Sequence, residues 1–278
     1  MTLPDLLIEP LVRTALLEDL GRGGDATAAL MRPDEKLRAQ FIARAGGVVA
    51  GLAAARIACR LVDETLRFHA LVDDGASLAP RAVIATVEGP AASVLTAERT
   101  ALNFLTHLSG VATLTRAFVD AVAGTRATIA ATRKTLPGLR AAQKAAVVAG
   151  GGAPHRYGLD DAILIKDNHI AACGSVGEAL ARAKRIAGHM RVIEVEVDNL
   201  AQLDEALRHA PHAILLDNFS LDDLRAAVSR AHGKAILEAS GGVSLTTVRA
   251  IAETGVDVIS VGALTHSAVA LDIGLDAA

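Results

Sequence analysis

From about residue 111 onward, short apolar runs alternate with amphipathic stretches at a spacing that leaves few folds open. The runs cover residues 127–131, 162–165, 192–197, 213–216, 235–238 and 258–261. Each is strand-length and nearly continuous in apolar residues, as a strand buried on both faces must be. Between them lie helical segments, with Ser175, Ser220 and Ser244 where N-caps belong and Gly188 and Gly255 where helices should stop. Polar residues or glycines close the runs: Lys166, Glu196, Asp217, Ser240 and Gly262 follow one another at intervals of 30, 21, 23 and 22 residues. This is a repeating β/α unit, either a barrel or an open doubly wound sheet. In a barrel the C-terminal strand ends form the active face, so these scattered residues are expected to converge on one mouth.

The first hundred residues follow another grammar. Helical patterns at 10–20, 53–62 and 92–108 are mixed with strand patterns at 37–45, 68–72 and 82–87, and GRGGDAT (21–27) reads as a turn. The expectation is an α+β domain with an antiparallel sheet over 1–110. A β/α domain over 111–267 follows it, and a tail over 268–278 returns to the first domain.

Apolar residues make up 51% of the 278 residues but aromatics only 2%, so Ala, Val, Leu and Ile must build the core. So few aromatics argue against single-stranded nucleic-acid binding, which relies on stacking platforms. The two cysteines, Cys59 and Cys173, form no CxxC and point to neither a disulfide framework nor structural zinc. The start, MTLPDLLIEP, lacks the pattern of a signal peptide, and no apolar stretch is long enough to span a bilayer. A soluble cytoplasmic protein is expected.

The chain carries 28 Lys/Arg against 31 Asp/Glu, yet residues 98–167 hold nine against five. Local positive charge in an acidic protein suits a pocket for a small, multiply charged anion rather than a nucleic-acid face. Arg133 and Lys134 are adjacent cations that a shared anion would reconcile; a solvated loop is the bland alternative. Arg140 and Lys144 read as the exposed face of a helix after Pro137-Gly138. The run Gly150-Gly151-Gly152 lacks the Gly-Lys-Ser/Thr ending of a phosphate-binding P-loop and reads as a turn presenting His155-Arg156, a pair suited to gripping a carboxylate. Lys166 is either an anion-binding cation or a Schiff-base nucleophile. Glu194 and Glu196 share one strand face, with Glu196 preferred because it lies nearer the strand's C-terminal end. Glu196 and Asp217 suit ribose hydroxyls or a Mg²⁺ held partly through water, or else salt bridges to nearby arginines. Ser240, Gly241 and Gly262 belong to late glycine-bearing loops of the type that bind phosphate, unless they serve only tight turns.

Several of these motifs together resemble one family. EDLGRGGDAT, ERTALNFLTHLSGVAT, TRKTLPGLR, HRYGLDDAILIKDNH, EVEV, LLDN, EASGG and GVDVISVGALTHS occur in order over nearly the whole chain. They resemble the quinolinate phosphoribosyltransferases (nicotinate-nucleotide pyrophosphorylases, carboxylating), type II phosphoribosyltransferases and hence pentosyltransferases. The resemblance implies an N-terminal α/β sandwich domain and an incomplete, seven-stranded α/β barrel. It implies Mg²⁺-dependent transfer of phosphoribosyl from phosphoribosyl pyrophosphate to quinolinate, giving nicotinate mononucleotide, pyrophosphate and CO₂ in NAD biosynthesis. It also implies a homodimer whose active sites borrow Arg99 from the neighbouring subunit. By this similarity Arg99, Arg133, His155 and Arg156 hold the quinolinate carboxylates, and Lys134 and Lys166 face the polyanionic ligands. Glu196 and Asp217 contact ribose and metal, while Ser240, Gly241 and Gly262 contact the 5′-phosphate. Ala131, Ala145 and Pro154 depart from the family's frequent Asp, Tyr and Asn. Two other readings are a paralogue of the same fold associated with molybdenum transport, from which IKDNH separates this chain, and a lysine-dependent barrel aldolase using Lys166.

Overall fold

The computed structural model describes residues 3–278. In chain order its elements begin with α1 (Asp5–Leu20), β1 (Lys36–Ala43), β2 (Gly47–Val48), α2 (Leu52–Val62), β3 (Arg67–Ala70), β4 (Ser77–Leu78), β5 (Val83–Pro90) and α3 (Ala91–Ala121). They continue with β6 (Thr128–Ala130), α4 (Arg140–Ala149), β7 (Ile163–Ile165), α5 (Asp167–Cys173), α6 (Val176–Ala187), β8 (Ile193–Val197) and α7 (Leu200–Arg208). The last are β9 (Ala213–Asp217), α8 (Leu221–Ala231), β10 (Ile236–Ser240), α9 (Val248–Ala252), β11 (Val258–Ser260), α10 (Ala263–His266) and β12 (Ile273–Ala277). They fall into two compact units: one takes the chain up to Arg116 together with Thr135–Gly151 and Ala263–Ala278, the other Ala117–Lys134 and Gly152–Gly262. This division differs from a single cut at residue 110, which lies inside α3, and it assigns α4 to the first unit.

The first unit is built on an antiparallel sheet of order β12-β1-β5-β3. Strand β12 pairs with β1 from Ala39↔Ala277 to Ala43↔Ile273 and so covers an edge that would otherwise be open. Phe41 and Phe68 meet at 5.7 Å between ring centroids. Helix α1 begins five residues before Pro10, where the sequence placed its start. Ile8, Val12 and Leu16 form a buried stripe at helical spacing, and burying it outweighs the backbone hydrogen bond that Pro10 forfeits. Helix α3 runs well past its expected end at 108. Gly110 does not break it; a Cβ there would lie 2.1 Å from the Val269 carbonyl oxygen, so the glycine permits a close backbone approach by the segment leading to β12. Lys144 is also a correction: it is fully buried rather than on an exposed face, because α4 turns Ala142, Gln143, Ala146 and Val147 inward with it.

The second unit holds a six-stranded parallel sheet of order β6-β11-β10-β9-β8-β7. From β7 to β11 each strand lies beside its predecessor, with no reversal of direction across the sheet. A doubly wound sheet requires such a reversal, whereas a barrel wall does not. The first strand of the series, β6, then pairs with the last, β11, at Val258↔Thr128 to Ser260↔Ala130. Six strands are formed rather than seven; the seventh position is a single bridge between Ala153 and Ala130. Among the described residues the wall is not closed, since β7 has no partner strand on its outer side. Ile193, Val195, Val197, Ile214, Leu216, Leu237 and Ile259 form the buried apolar face of the sheet, and Leu180, Leu203, Ala206, Leu224 and Ala227 are buried on the helices. Ser175 and Ser220 cap α6 and α8 by accepting the Glu178 and Asp223 N–H groups. Ser244 instead opens a turn, accepting the Val248 N–H through its carbonyl before the short α9. No helix among the described residues is long and apolar enough to cross a membrane.

Removing residues 273–278 strips β1 of its β12 partner and takes away the buried Ile273 side chain, whose burial alone is worth about 2 kcal/mol. The expected outcome is a lower Tm by differential scanning calorimetry, together with concentration-dependent light scattering from the bared edge.

Candidate active site

Parallel register decides which side chains share a face. Leu164 lies opposite Glu194, Glu196 opposite Leu215, Leu215 opposite Glu238, and Asp217 opposite Ser240. With period-two alternation, Lys166, Glu194, Glu196, Asp217, Glu238, Ser240 and Ser260 therefore lie on the face opposite the apolar one. Lys166 follows β7 in extended conformation, φ −120° and ψ 171°, and keeps the strand's alternation. The residues closing the apolar runs are thus gathered at one end of one face, as the intervals implied.

Within this face, each acidic group has a partner. Lys166 Nζ donates to Glu196 Oε2. The Lys166 side chain is 45% exposed and that of Glu196 11%, so the pair is worth roughly 1 kcal/mol at most and an arriving polyanion can compete for the lysine. That exposure and pairing contrast with the desolvated lysine of lowered pKa that a Schiff base needs. Asp167, the neighbour expected to oppose such a shift, instead accepts the Asn168 N–H at 2.7 Å. His169 accepts the Lys166 N–H at 3.0 Å and fixes the turn from β7 into α5. Asp217 accepts from Asn218 Nδ2 at 2.8 Å. Asn218 sits in left-handed backbone, φ +55°, which asparagine tolerates better than most residues.

Arg133 and Lys134 lie on the loop after β6, where the Lys134 N–H bonds Thr132 Oγ1 at 3.0 Å. Arg133 Nε is buried without a hydrogen-bond partner, and burial followed by the proximity of Arg133 pushes the Arg156 guanidinium below its ordinary pKa. Two cations held close, one with an unmet donor, form a site that an anion would complete. Arg156 Nη1 also donates to the Ala162 carbonyl at 3.3 Å.

His155 is placed differently from the expectation of a free carboxylate donor, because both ring nitrogens are engaged within the chain. Nδ1 accepts the Arg156 N–H at 2.7 Å, while Nε2 lies 3.3 Å from Glu238 Oε2 and 3.5 Å from Glu194 Oε2. Burial disfavours a charged ring, but the two carboxylates outweigh it and raise the His155 pKa to about 9. Burial also pushes the Glu194 carboxyl upward, with Glu238 adding to the effect. The cluster therefore retains a proton well above the ordinary histidine range. Since the Arg156 N–H needs a lone pair on Nδ1, that proton belongs on the side of Nε2 and the carboxylates. Of the two carboxylates, Glu194 was set aside in the sequence in favour of its same-face neighbour Glu196, and Glu238 was missed, its signal being the same-face spacing with Ser240.

Gly241, φ +96°, follows β10 against Asn218, where a Cβ would fall 2.1 Å from Asn218 Oδ1. Gly242 is also left-handed, φ +59°, and Gly262 follows β11. Arg99 is exposed on α3 in the first unit, lining a cavity of about 270 Å³ with Asp19, Gly24, Asp25 and Thr96. Asp25 ties that cavity's loop to the helix by accepting from Thr96 Oγ1 at 2.9 Å. Arg140 is half-buried in the first unit, its Nε donating to Thr135 Oγ1 at 3.1 Å. Among the described residues His155, Glu194 and Glu238 are the group whose ligand atoms converge closely enough for a metal. Glu196 and Asp217, on adjacent strands, instead fit a hard cation taking one or two carboxylates plus water and substrate oxygens.

Residues 25–109 match the model of the quinolinate phosphoribosyl transferase N-terminal domain, and residues 111–276 match that of its C-terminal domain. The chain belongs to the quinolinate phosphoribosyltransferase family. It is 49% identical over 274 residues to nicotinate-nucleotide pyrophosphorylase [carboxylating] of Mycobacterium leprae, covering 95% of each chain. It is 40% identical to a quinolinate phosphoribosyltransferase [decarboxylating] of Nicotiana tabacum, over 98% of this chain and 83% of that one. The structure of nicotinate-nucleotide pyrophosphorylase from Francisella tularensis superposes with a TM-score of 0.94 at 40% identity, covering 100% of this chain and 98% of that one. Among the residues that depart from the family's frequent types, Ala145 lines a cavity of about 530 Å³ in the first unit, beside Ala142, Ala146 and Ala149.

Gly241→Ala is expected to displace the Asn218 side chain, break its bond to Asp217 and strain a left-handed backbone. We expect a loss of roughly 2 kcal/mol, read as a Tm fall of about 4 °C or more, with a larger proportional fall in activity.

Proposed function

We propose that this chain is a nicotinate-nucleotide pyrophosphorylase of the carboxylating type. It transfers phosphoribosyl from phosphoribosyl pyrophosphate to quinolinate and releases pyrophosphate and CO₂. The observation that carries the reading is the single sheet face bearing Lys166, Glu196, Asp217 and Ser240, in a chain similar from end to end to enzymes named for this activity.

Arg133 and Arg156, the close pair with an unmet donor, take the dicarboxylate. Lys134 and Lys166 meet the pyrophosphate side of the second substrate. Glu196 and Asp217 bind the ribose hydroxyls, and the loops at Ser240, Gly241 and Gly262 receive the 5′-phosphate. Glu196 and Asp217 would hold Mg²⁺, which when bound would supply charge neutralisation for pyrophosphate. The pyridine nitrogen attacks the anomeric carbon as the C–O bond to pyrophosphate breaks through an oxocarbenium-like state, and Lys134 and Lys166 stabilise the departing charge. The quaternised ring then accepts the electron pair of the adjacent carboxylate as CO₂ leaves, and the ring carbon takes a proton. No covalent nucleophile is required; the protein contributes orientation and charge.

The working form is a homodimer in the cytoplasm in which Arg99 serves the neighbouring subunit's site. This accounts for an exposed arginine lining a cavity of its own in the first unit.

Purified protein given quinolinate, phosphoribosyl pyrophosphate and Mg²⁺ is expected to form nicotinate mononucleotide, detected by chromatography. Turnover of nicotinate in place of quinolinate would overturn the substrate assignment. Arg99→Ala and Lys166→Ala are each expected to be inactive. After the two are mixed and subunits exchange, half the dimers are mixed and each carries one intact site, restoring about a quarter of wild-type activity. No recovery on mixing would remove the shared site.

A further inference from the structure

His155 is held at both ends of its ring. At one end Nδ1 accepts the N–H of the next residue, Arg156, at 2.7 Å. At the other, Nε2 lies within 3.5 Å of carboxylate oxygens from two different strands, Glu194 on β8 and Glu238 on β10. The carboxylates are rigidly based, since Glu194 is 7% and Glu238 4% exposed. His155 itself has φ +53°, a left-handed conformation that is unfavourable for a residue with a Cβ. Strain of this kind persists only where surrounding contacts over-determine it, and the two carboxylates provide them. The outcome is a fixed peptide between residues 155 and 156, and therefore a fixed origin for the Arg156 side chain.

We propose that His155, Glu194 and Glu238 form a mount that sets Arg156 for the substrate dicarboxylate, with His155 acting through Arg156 rather than touching substrate. This rests on the proposed reaction and goes beyond it by naming Glu194 and Glu238 as positioning residues. Both His155 nitrogens are already engaged, so neither is left for a ligand. Each carboxylate, although inside an anion site, turns its Oε2 onto the imidazole, and Glu238 Oε1 is buried without a partner.

The test compares KM for quinolinate and for phosphoribosyl pyrophosphate in the full enzyme, with thermal melts confirming that each variant is folded. Glu238→Ala leaves His155 in the chain but removes one arm of the mount. It is expected to raise the quinolinate KM about tenfold, while the phosphoribosyl pyrophosphate KM stays within about twofold. Glu238→Gln, which keeps an acceptor for Nε2–H, should restore most of the loss, and it serves as the reporter if the alanine variant does not fold. In an Arg156→Lys background Glu238→Ala should add little, because the two act as one unit. A quinolinate KM unchanged by Glu238→Ala but raised by His155→Ala would overturn the mount in favour of direct contact. Simple addition of the Glu238 and Arg156 effects would overturn it as well. Absence of quinolinate turnover by the wild-type protein is a distinct outcome, which overturns the functional reading and the mount together.

Discussion

Parallel strands buried on both faces impose the constraint on which the rest of this protein depends. One face of each strand must satisfy the helices, and it does so with Ile, Val and Leu. The other face is free to carry charge only if the charges compensate one another, because isolated ions in such surroundings are too costly. Strand β8, with sequence IEVEV, carries both demands in five residues. Its three aliphatic side chains belong to the core, and its two glutamates belong to the site.

Compensation explains the detailed form of the site. Glu196 is matched by Lys166, Asp217 by the Asn218 amide, and the Glu194–Glu238 pair by one imidazole and a retained proton. These groups are ordered by one another before any substrate arrives, so little has to be rearranged when it binds. Glu238 Oε1 is buried without a partner, and so is a donor of Arg133, which stands close to the second cation Arg156. An anionic substrate is the natural completion of that corner, which agrees with the family to which the chain belongs.

The strands of the second unit were legible because a short, largely apolar run between helical patterns has few other interpretations. All six expected runs became strands, with ends shifted by a residue or two. Helix limits were less legible where a local rule met a tertiary contact. Pro10 marked a helix start in sequence but lies inside α1, and Gly110 sits within α3 because another backbone passes close to it. Lys144 read as a surface residue because charge is normally solvated, yet α4 is packed on the side that carries it. Alternation put Glu194 and Glu196 on one face, but a preference for Glu196 by proximity to the strand end could not show that each has its own partner, Glu196 with Lys166 and Glu194 with His155.

The residue types, their order and the period of the apolar runs were enough to determine a β/α sheet with charge and glycine at the strand ends, and to identify the family. These are local properties of the chain, set by backbone periodicity and by which side chains can be buried. Tertiary structure decided the pairings: Lys166 with Glu196, His155 with Glu194 and Glu238, and β12 with β1. Each joins residues at least 30 positions apart. Strand register and the meeting of distant segments select such partners, and alternation along a single strand states only which face a side chain takes.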